Sequence, residues 1–279
     1  MDRMTTRSQK KYFLNAALIF MLFFCCAPIV WMFIVAFARH PDFLLPTIVY
    51  EFTFGNFKEI LTNSSVKLPT YLINSVVISS ISALVTTMIA ALSAYSISRM
   101  NFPGRRMLPL LVLGSAMFPQ ISIVGYLFKL LTSLGLINTY SALILPYIAL
   151  GLPLALWIMM SHFSRLSRDI DDAALVDGAT RMQIFTRIVM PVSLPGAVSA
   201  FLLVFIFCFN EFLFALMFTI DYNARTIPVG IALFEGLHGQ IPWGYIMAGA
   251  AIAIVPVIIL ISLFEKYLIE GLTEGSLKG

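Results

Sequence analysis

Residues 72–98 read LINSVVISSISALVTTMIAALSAYSIS, 27 residues without a charged side chain. A helix needs about 20 mostly apolar residues to cross a hydrocarbon core of roughly 30 Å, so this stretch is long enough to span a bilayer. Ser75, Ser79, Ala83, Thr87 and Ala91 recur in it every four residues, and Ser82, Thr86, Ala90, Ala94 and Ser98 do the same beside them. Small residues at that spacing let helix backbones approach closely, which predicts an interior helix with neighbours on a broad face. A polar pore lining is the competing reading. Packing is favoured, because hydroxyls bond their own preceding turn as readily as a solute.

The surrounding chain has the same character. Of its 279 residues 59% are apolar and 11% charged, where a soluble domain has about 45–50% and about 25%. That is too little charge to coat a water-facing surface, and it argues against a soluble enzyme, a disordered tail and a disulfide scaffold. Five further long apolar stretches run over 13–38, 107–128, 141–160, 197–219 and 245–264, giving an all-α integral membrane protein with six expected transmembrane helices. The expected organisation is a tail (1–12), a first helix (13–38), an extracytoplasmic loop (39–71), a five-helix core (72–264) and a second tail (265–279). The core contains a polar loop at 161–196.

The first stretch follows four basic residues as a signal peptide would. Its 26 residues exceed a cleavable apolar region of roughly 7–15, so it reads as a retained anchor. Thirteen lysines and arginines fall on the side of the N-terminus and five on the other, accounting for all 18. This bias predicts cytoplasmic N- and C-termini. The net charge of +4 therefore concerns orientation and is no nucleic-acid footprint. Cys25, Cys26 and Cys208 lie in apolar runs without metal-ligand spacing and read as small buried residues. Pro28, Pro109, Pro119, Pro146, Pro153 and Pro256 each predict a kink within a span.

The loop 161–196 has an ordered pattern. Ser167 can cap a short helix with Asp169 in its first turn, and Gly178 can end it in a left-handed conformation. Thr180 and Gln183 form a capping box for a second short helix, which Pro191 is expected to close. The prediction is helix, tight turn, helix on the cytoplasmic face. The acidic residues Asp169, Asp171, Asp172 and Asp177 argue against a loop lying on anionic lipid.

The stretch Asp172-Ala173-Ala174-Leu175-Val176-Asp177-Gly178, continued through Ile188 to Pro191, resembles the EAA loop of permeases in binding-protein-dependent ABC importers. Asp172 stands where that pattern has Glu, and Met190 where it has Leu. Asn74-Ser75, Ala94-Tyr95, Phe102-Pro103-Gly104-Arg105-Arg106, Asn210-Glu211-Phe212 and the tail from Gly271 to Gly279 are similar to the carbohydrate branch of the family, with subunits like the shorter maltose-type permease. The resemblance implies a type I importer bundle in a prokaryotic inner membrane. Its partners would be a second homologous permease, a dimer of cytoplasmic ABC ATPases, an extracytoplasmic solute-binding protein and the lipid bilayer. The cargo would be a sugar, a di- or oligosaccharide. Asp172, Ala173, Ala174, Asp177 and Gly178 would then dock the ATPase, with Asp172 meeting a basic residue. The chain itself would bind no cofactor or metal, ATP and Mg being used by the partner ATPase. GxxxxGK[ST] is absent, so this subunit is expected not to be an enzyme.

Glu211 is the one carboxylate within an expected span. Intramembrane charge reads as functional by default, so Asn210 and Glu211 are candidates for the translocation pathway or an outer gate, with structural pairing as the equal alternative. Tyr222, Phe234, His238 and Trp243 make the loop 221–244 aromatic. Such rings suit sugar faces or an interfacial belt. The family resemblance adds contact with the solute-binding protein. A six-helix channel or an intramembrane enzyme is the alternative function. The first lacks a filter or charged ring, and the second lacks paired carboxylates or a His at membrane depth.

Overall fold

The structure is a computed structural model that describes residues 2–39, 51–63, 65–234 and 242–273. Its elements are helical: α1 (Asp2–Ala36), α2 (Gly55–Thr62), α3 (Leu68–Arg99), α4 (Met107–Ser115), α5 (Gln120–Ser133), α6 (Tyr140–Phe163), α7 (Asp169–Val176), α8 (Arg181–Ile184), a π-helical turn (Phe185–Val189), α9 (Met190–Val192), α10 (Leu194–Phe209), α11 (Leu213–Phe218), α12 (Ile227–Ala232) and α13 (Trp243–Thr273). Among the described residues, α1, α3, α6 and α13 are long and apolar enough to cross a membrane on their own. The number reaches six if two bent pairs each count as one span.

The first bent pair is the kink expected at Pro119; the second turns at Ser193, ahead of the span expected over 197–219, which itself breaks at 210–212 between α10 and α11. Between α4 and α5 the chain turns by 87°. Pro119 sits at the break with an extended ψ of 122°; it offers no N–H to the preceding turn and disfavours helical geometry at Phe118. The second expected helix continues through Pro191 to Val192 and turns by 77° into α10. Pro191 does not close it, because the π turn just before absorbs the lost bond: the Met190 N–H reaches back to the Phe185 carbonyl. Pro28, Pro146, Pro153 and Pro256 lie inside continuous helices. The last helix also runs beyond 264, to Thr273.

By contact the chain divides into two compact units, residues 1–68 with 231–254 and residues 69–230 with 255–279. In the first, Phe37 stacks on Phe52 at 4.7 Å and meets Phe54 and Phe57 at 5.2 and 4.9 Å. Asn56 donates from Nδ2 to the Ala36 and Ala38 carbonyls at 2.8 and 2.9 Å, capping the end of α1. Most of α1 exposes apolar side chains, as suits a helix whose surroundings are lipid or another subunit.

The second unit is built around α3, α6 and α10. Both small-residue stripes of α3 are buried from Ser75 to Ala94, as the spacing predicted. Its opposite face, with Ile73, Ile81, Leu84, Met88 and Leu92, stays exposed. At the centre Thr86, Gly151 and Val204 meet: a Cβ at residue 151 would lie 2.8 Å from Val204 Cγ1 and 3.4 Å from Thr86 Cγ2. A methyl there must push a neighbouring side chain aside. Gly151→Ala is expected to destabilise the fold by about 1–3 kcal/mol, seen as a lower thermal midpoint of the detergent-purified chain. Gly125→Ala, where a Cβ would meet nothing within 4 Å, is expected not to lower it.

Candidate functional site

The polar loop folds as its local sequence dictates. Ser167 does not cap α7 as expected, since the N-cap is Arg168 without a side-chain cap bond; one residue earlier, Ser167 Oγ accepts from the Asp169 N–H at 3.2 Å and donates to Asp169 Oδ2 at 2.8 Å. Gly178 has φ +81°, a conformation that costs other residues their Cβ clearance. It lets the Gly178 N–H reach the Leu175 carbonyl and the Ala179 N–H the Ala174 carbonyl, closing the helix in a Schellman turn. Thr180 Oγ1 accepts from the Gln183 N–H while Gln183 Oε1 accepts from the Thr180 N–H, so both halves of the capping box form. Helix, turn and helix are thereby fixed before any partner is present.

The two faces of α7 differ. Asp169, Asp172, Ala173 and Val176 are exposed on one side, and Val176 is 88% exposed. Asp171 and Ala174 are buried on the other. Asp172 and Ala173 are thus open to a partner, as are Asp177 and Gly178, whereas Ala174 packs inside this chain. The sequence pattern singles out Asp172, but Asp171 is the carboxylate paired within this chain. Asp171 Oδ2 lies 2.9 Å from Arg99 Nε, with side-chain exposures of only 9% and 5%, and Tyr95 Oη–H donates to Asp171 Oδ1 at 3.5 Å. The three-residue spacing of Asp171 and Ala174 puts both on one helix face, but nothing in it marks that face as the inner one.

Glu211 lies at the break between α10 and α11 and is buried. Its Oε2 accepts from Tyr147 Oη–H at 2.7 Å and from the Ala215 N–H at 3.1 Å, and its Oε1 from the Phe214 N–H at 2.9 Å. The carboxylate therefore satisfies the free amides of α11 and a tyrosine of α6 at once, and its negative charge suits a helix N-terminus. Asn210 is exposed and donates from Nδ2 to the Ile206 carbonyl at 2.8 Å.

After α11 the chain is tied down by two asparagines. Asn138, at φ +63°, accepts through Oδ1 from the Ile220 and Asp221 amides at 2.9 and 3.2 Å. Its Nδ2 donates to Asp221 Oδ1 at 2.9 Å, and with the Asn223 N–H this holds the Asp221 carboxyl below the usual carboxylate range. Asn74 Nδ2 lies within bonding distance of the Tyr222, Asn223 and Arg225 carbonyls at 2.9, 3.3 and 3.0 Å, while its Oδ1 accepts from Tyr140 Oη–H at 2.5 Å. Beside it Ser75 Oγ accepts from the Ile227 N–H at 2.7 Å. Of the expected aromatic group, Tyr222 is exposed in the second unit, and Phe234 and Trp243 are half-buried in the first. His238 lies outside the described residues.

A bundle of apolar helices carrying a preformed acidic helix-turn-helix defines a multi-pass membrane component. The chain belongs to the family of binding-protein-dependent transport system inner membrane components, whose sequence pattern matches residues 86–273. It is therefore the membrane part of a transport system and not its catalytic subunit. It is 50% identical over 271 residues to a trehalose/maltose transport system permease protein of Thermococcus litoralis, covering 97% of this chain and 98% of that one. A trehalose transport system permease protein of Mycobacterium tuberculosis is 37% identical over 90% of this chain and 92% of its own. The fold matches a chain of a bacterial ABC transporter that imports the polysaccharide alginate, with a TM-score of 0.72 at 21% identity, covering 94% of this chain and 98% of that one.

With three donors already on its carboxylate, Glu211 is expected to act as a scaffold. Glu211→Ala leaves two helix amides and the Tyr147 hydroxyl without their acceptor and should lower stability by about 1–3 kcal/mol or more. Transport per folded complex, measured with melting temperature on one preparation, should stay near that of the unaltered protein. A loss of specific transport at unchanged stability would instead assign Glu211 to the pathway.

Proposed function

We propose that this chain is a transmembrane permease subunit of an ATP-driven importer for a di- or oligosaccharide, forming half of the translocation pathway. The observation that carries the docking part is the outer face of α7. Val176 holds a large apolar side chain 88% exposed on a polar loop, flanked by Asp172 and Ala173, above a turn that its own caps hold rigid. An apolar anchor rimmed by carboxylates fits a groove with a basic edge on another protein. That partner is an ATPase dimer, which binds the ATP and Mg that this chain does not. A second homologous permease and an extracytoplasmic solute-binding protein complete the assembly, the latter approached by Tyr222, Phe234, His238 and Trp243.

The sugar assignment rests on the relatives, whose names specify trehalose and maltose in one case and trehalose in the other. The thirteen basic residues on the side of the loop support cytoplasmic termini in a prokaryotic inner membrane. Closure of the ATPase pair then moves α7 and α8, and the bundle alternates between inward and outward access. Tyr222 and the residues held by Asn74 and Asn138 face the opposite side, where the solute-binding protein would deliver the sugar.

Asp172→Lys and Val176→Asp are each expected to reduce co-purification of the ATPase at least tenfold, with Asp172→Asn milder; Gly178→Pro should abolish transport while the protein still inserts. In the reconstituted assembly, trehalose or maltose with the solute-binding protein should stimulate ATP hydrolysis. If no saccharide in a panel of mono-, di- and oligosaccharides does so, the cargo is of another class. If Asp172→Lys and Val176→Asp both retain the ATPase, the docking face is elsewhere.

A further inference from the structure

α7 is covalently close to α6 and, through α8 and the π turn, to α10. α3 is remote from it in sequence, yet the side-chain bonds of the loop converge on the end of α3. Arg99, in the last turn of α3, forms the buried ion pair with Asp171 at 2.9 Å. Its Nη2 also donates to the Leu166 carbonyl at 3.0 Å. In the reverse direction Arg168 Nη2 donates to the Ser98 carbonyl at 2.9 Å. Tyr95, one turn earlier on α3, reaches Asp171 with its hydroxyl and packs its ring against Phe185 at 5.2 Å and Phe163 at 6.3 Å. Three segments, the end of α6, the start of α7 and the π turn, therefore close around Tyr95 and Arg99.

Both charges are also placed where their own helices favour them, the cation at the C-terminal end of α3 and the carboxylate in the first turn of α7. Separating them would leave each buried and uncompensated, which resists motion of one helix without the other. At its other end α3 holds Asn74 and Ser75, which lie within bonding distance of four backbone groups of the segment 222–227. Between Asn74 and Arg99 the helix is unbroken, a length of about 38 Å at ~1.5 Å per residue.

We propose that α3 is the strut that carries movement of the docking loop to the segment 222–227, with Arg99 and Asp171 as the positioning residues of its inner joint and Asn74 of its outer joint. The inference rests on the docking reading of α7. What it adds is the route: the loop acts on the bundle through α3, to which it is joined only by side chains, and the outer segment answers because Asn74 holds it to the same rigid body.

The test uses the full assembly reconstituted with ATPase and solute-binding protein. Asp171→Asn, Arg99→Gln and Asn74→Ala should each leave co-purification of the ATPase and basal ATP hydrolysis intact, because the outer face of α7 is untouched. Each should lower stimulation of hydrolysis by the sugar-loaded binding protein at least tenfold, counted per folded complex, and reduce sugar moved per ATP. The exchange Arg99→Asp with Asp171→Arg should restore part of the stimulation, and Asp171→Asn combined with Asn74→Ala should lose no more than either alone. Normal stimulation in Asp171→Asn with the ATPase retained overturns the strut while leaving docking intact. Should the charge variants fail to fold, Asn74→Ala decides, since wild-type stimulation in that variant also overturns the strut. An unaltered chain that does not retain the ATPase overturns docking and strut together.

Discussion

Water is absent from the hydrocarbon core, so every polar group at that depth must find its partner within the protein. That constraint shapes the break after α10 in the second compact unit, whereas the Ser82, Thr86 and Thr87 hydroxyls of α3 are buried without a partner among the described residues. Where α10 ends at Phe209, the amides of the next helix have no preceding turn to bond, and Glu211 turns back to accept two of them together with the Tyr147 hydroxyl. A carboxylate in the membrane would be costly alone, and a helix break would be costly alone. Each satisfies the other, and the chain obtains a bent fifth segment whose direction is set by hydrogen bonds.

The same economy governs α3. Its serines, threonines and alanines bury against neighbours because none carries bulk, and Gly151 lets Val204 and Thr86 come within contact distance of the α6 backbone. Lipid gives no hydrophobic reward for helix association, so close van der Waals packing of this kind is what holds the helices together. The large apolar residues are sent to the other face, where Leu84 and Met88 remain exposed to lipid or to another subunit.

At the end of the bundle that carries the polar loop the solvent changes and so does the logic. There the loop 164–193 is assembled from bonds that are purely local: the Ser167–Asp169 turn, the Gly178 turn, and the Thr180–Gln183 box. Rigidity achieved before docking reduces the ordering cost of engaging a partner. The apolar Val176, carried outward by that unit, is what the proposed docking face rests on.

Sequence alone determined much of this protein. The apolar runs fixed an all-helical membrane chain, the four-residue repeats fixed which face of α3 is buried, and the Gly178 end of α7 and the capping box of α8 were readable residue by residue, because each depends on neighbours within a turn. Tertiary structure decided what depends on distant neighbours. Whether Asp171 or Asp172 faces inward turned on Arg99, some seventy positions earlier, and four acidic residues within nine positions carry no local mark of which one is paired. That Glu211 is tied by Tyr147 and by amides beyond a break could not be read either, since the expected span was continuous and a straight helix would have had no free amides for the carboxylate to bind. Asn74, legible only as a matching position, holds two segments, 222–225 and the start of α6, through carbonyls and a tyrosine that the fold brings to it. Local hydrogen bonds and periodicity are written in consecutive residues, whereas the pairing of a buried charge is decided by whichever remote side chain the packed helices place beside it.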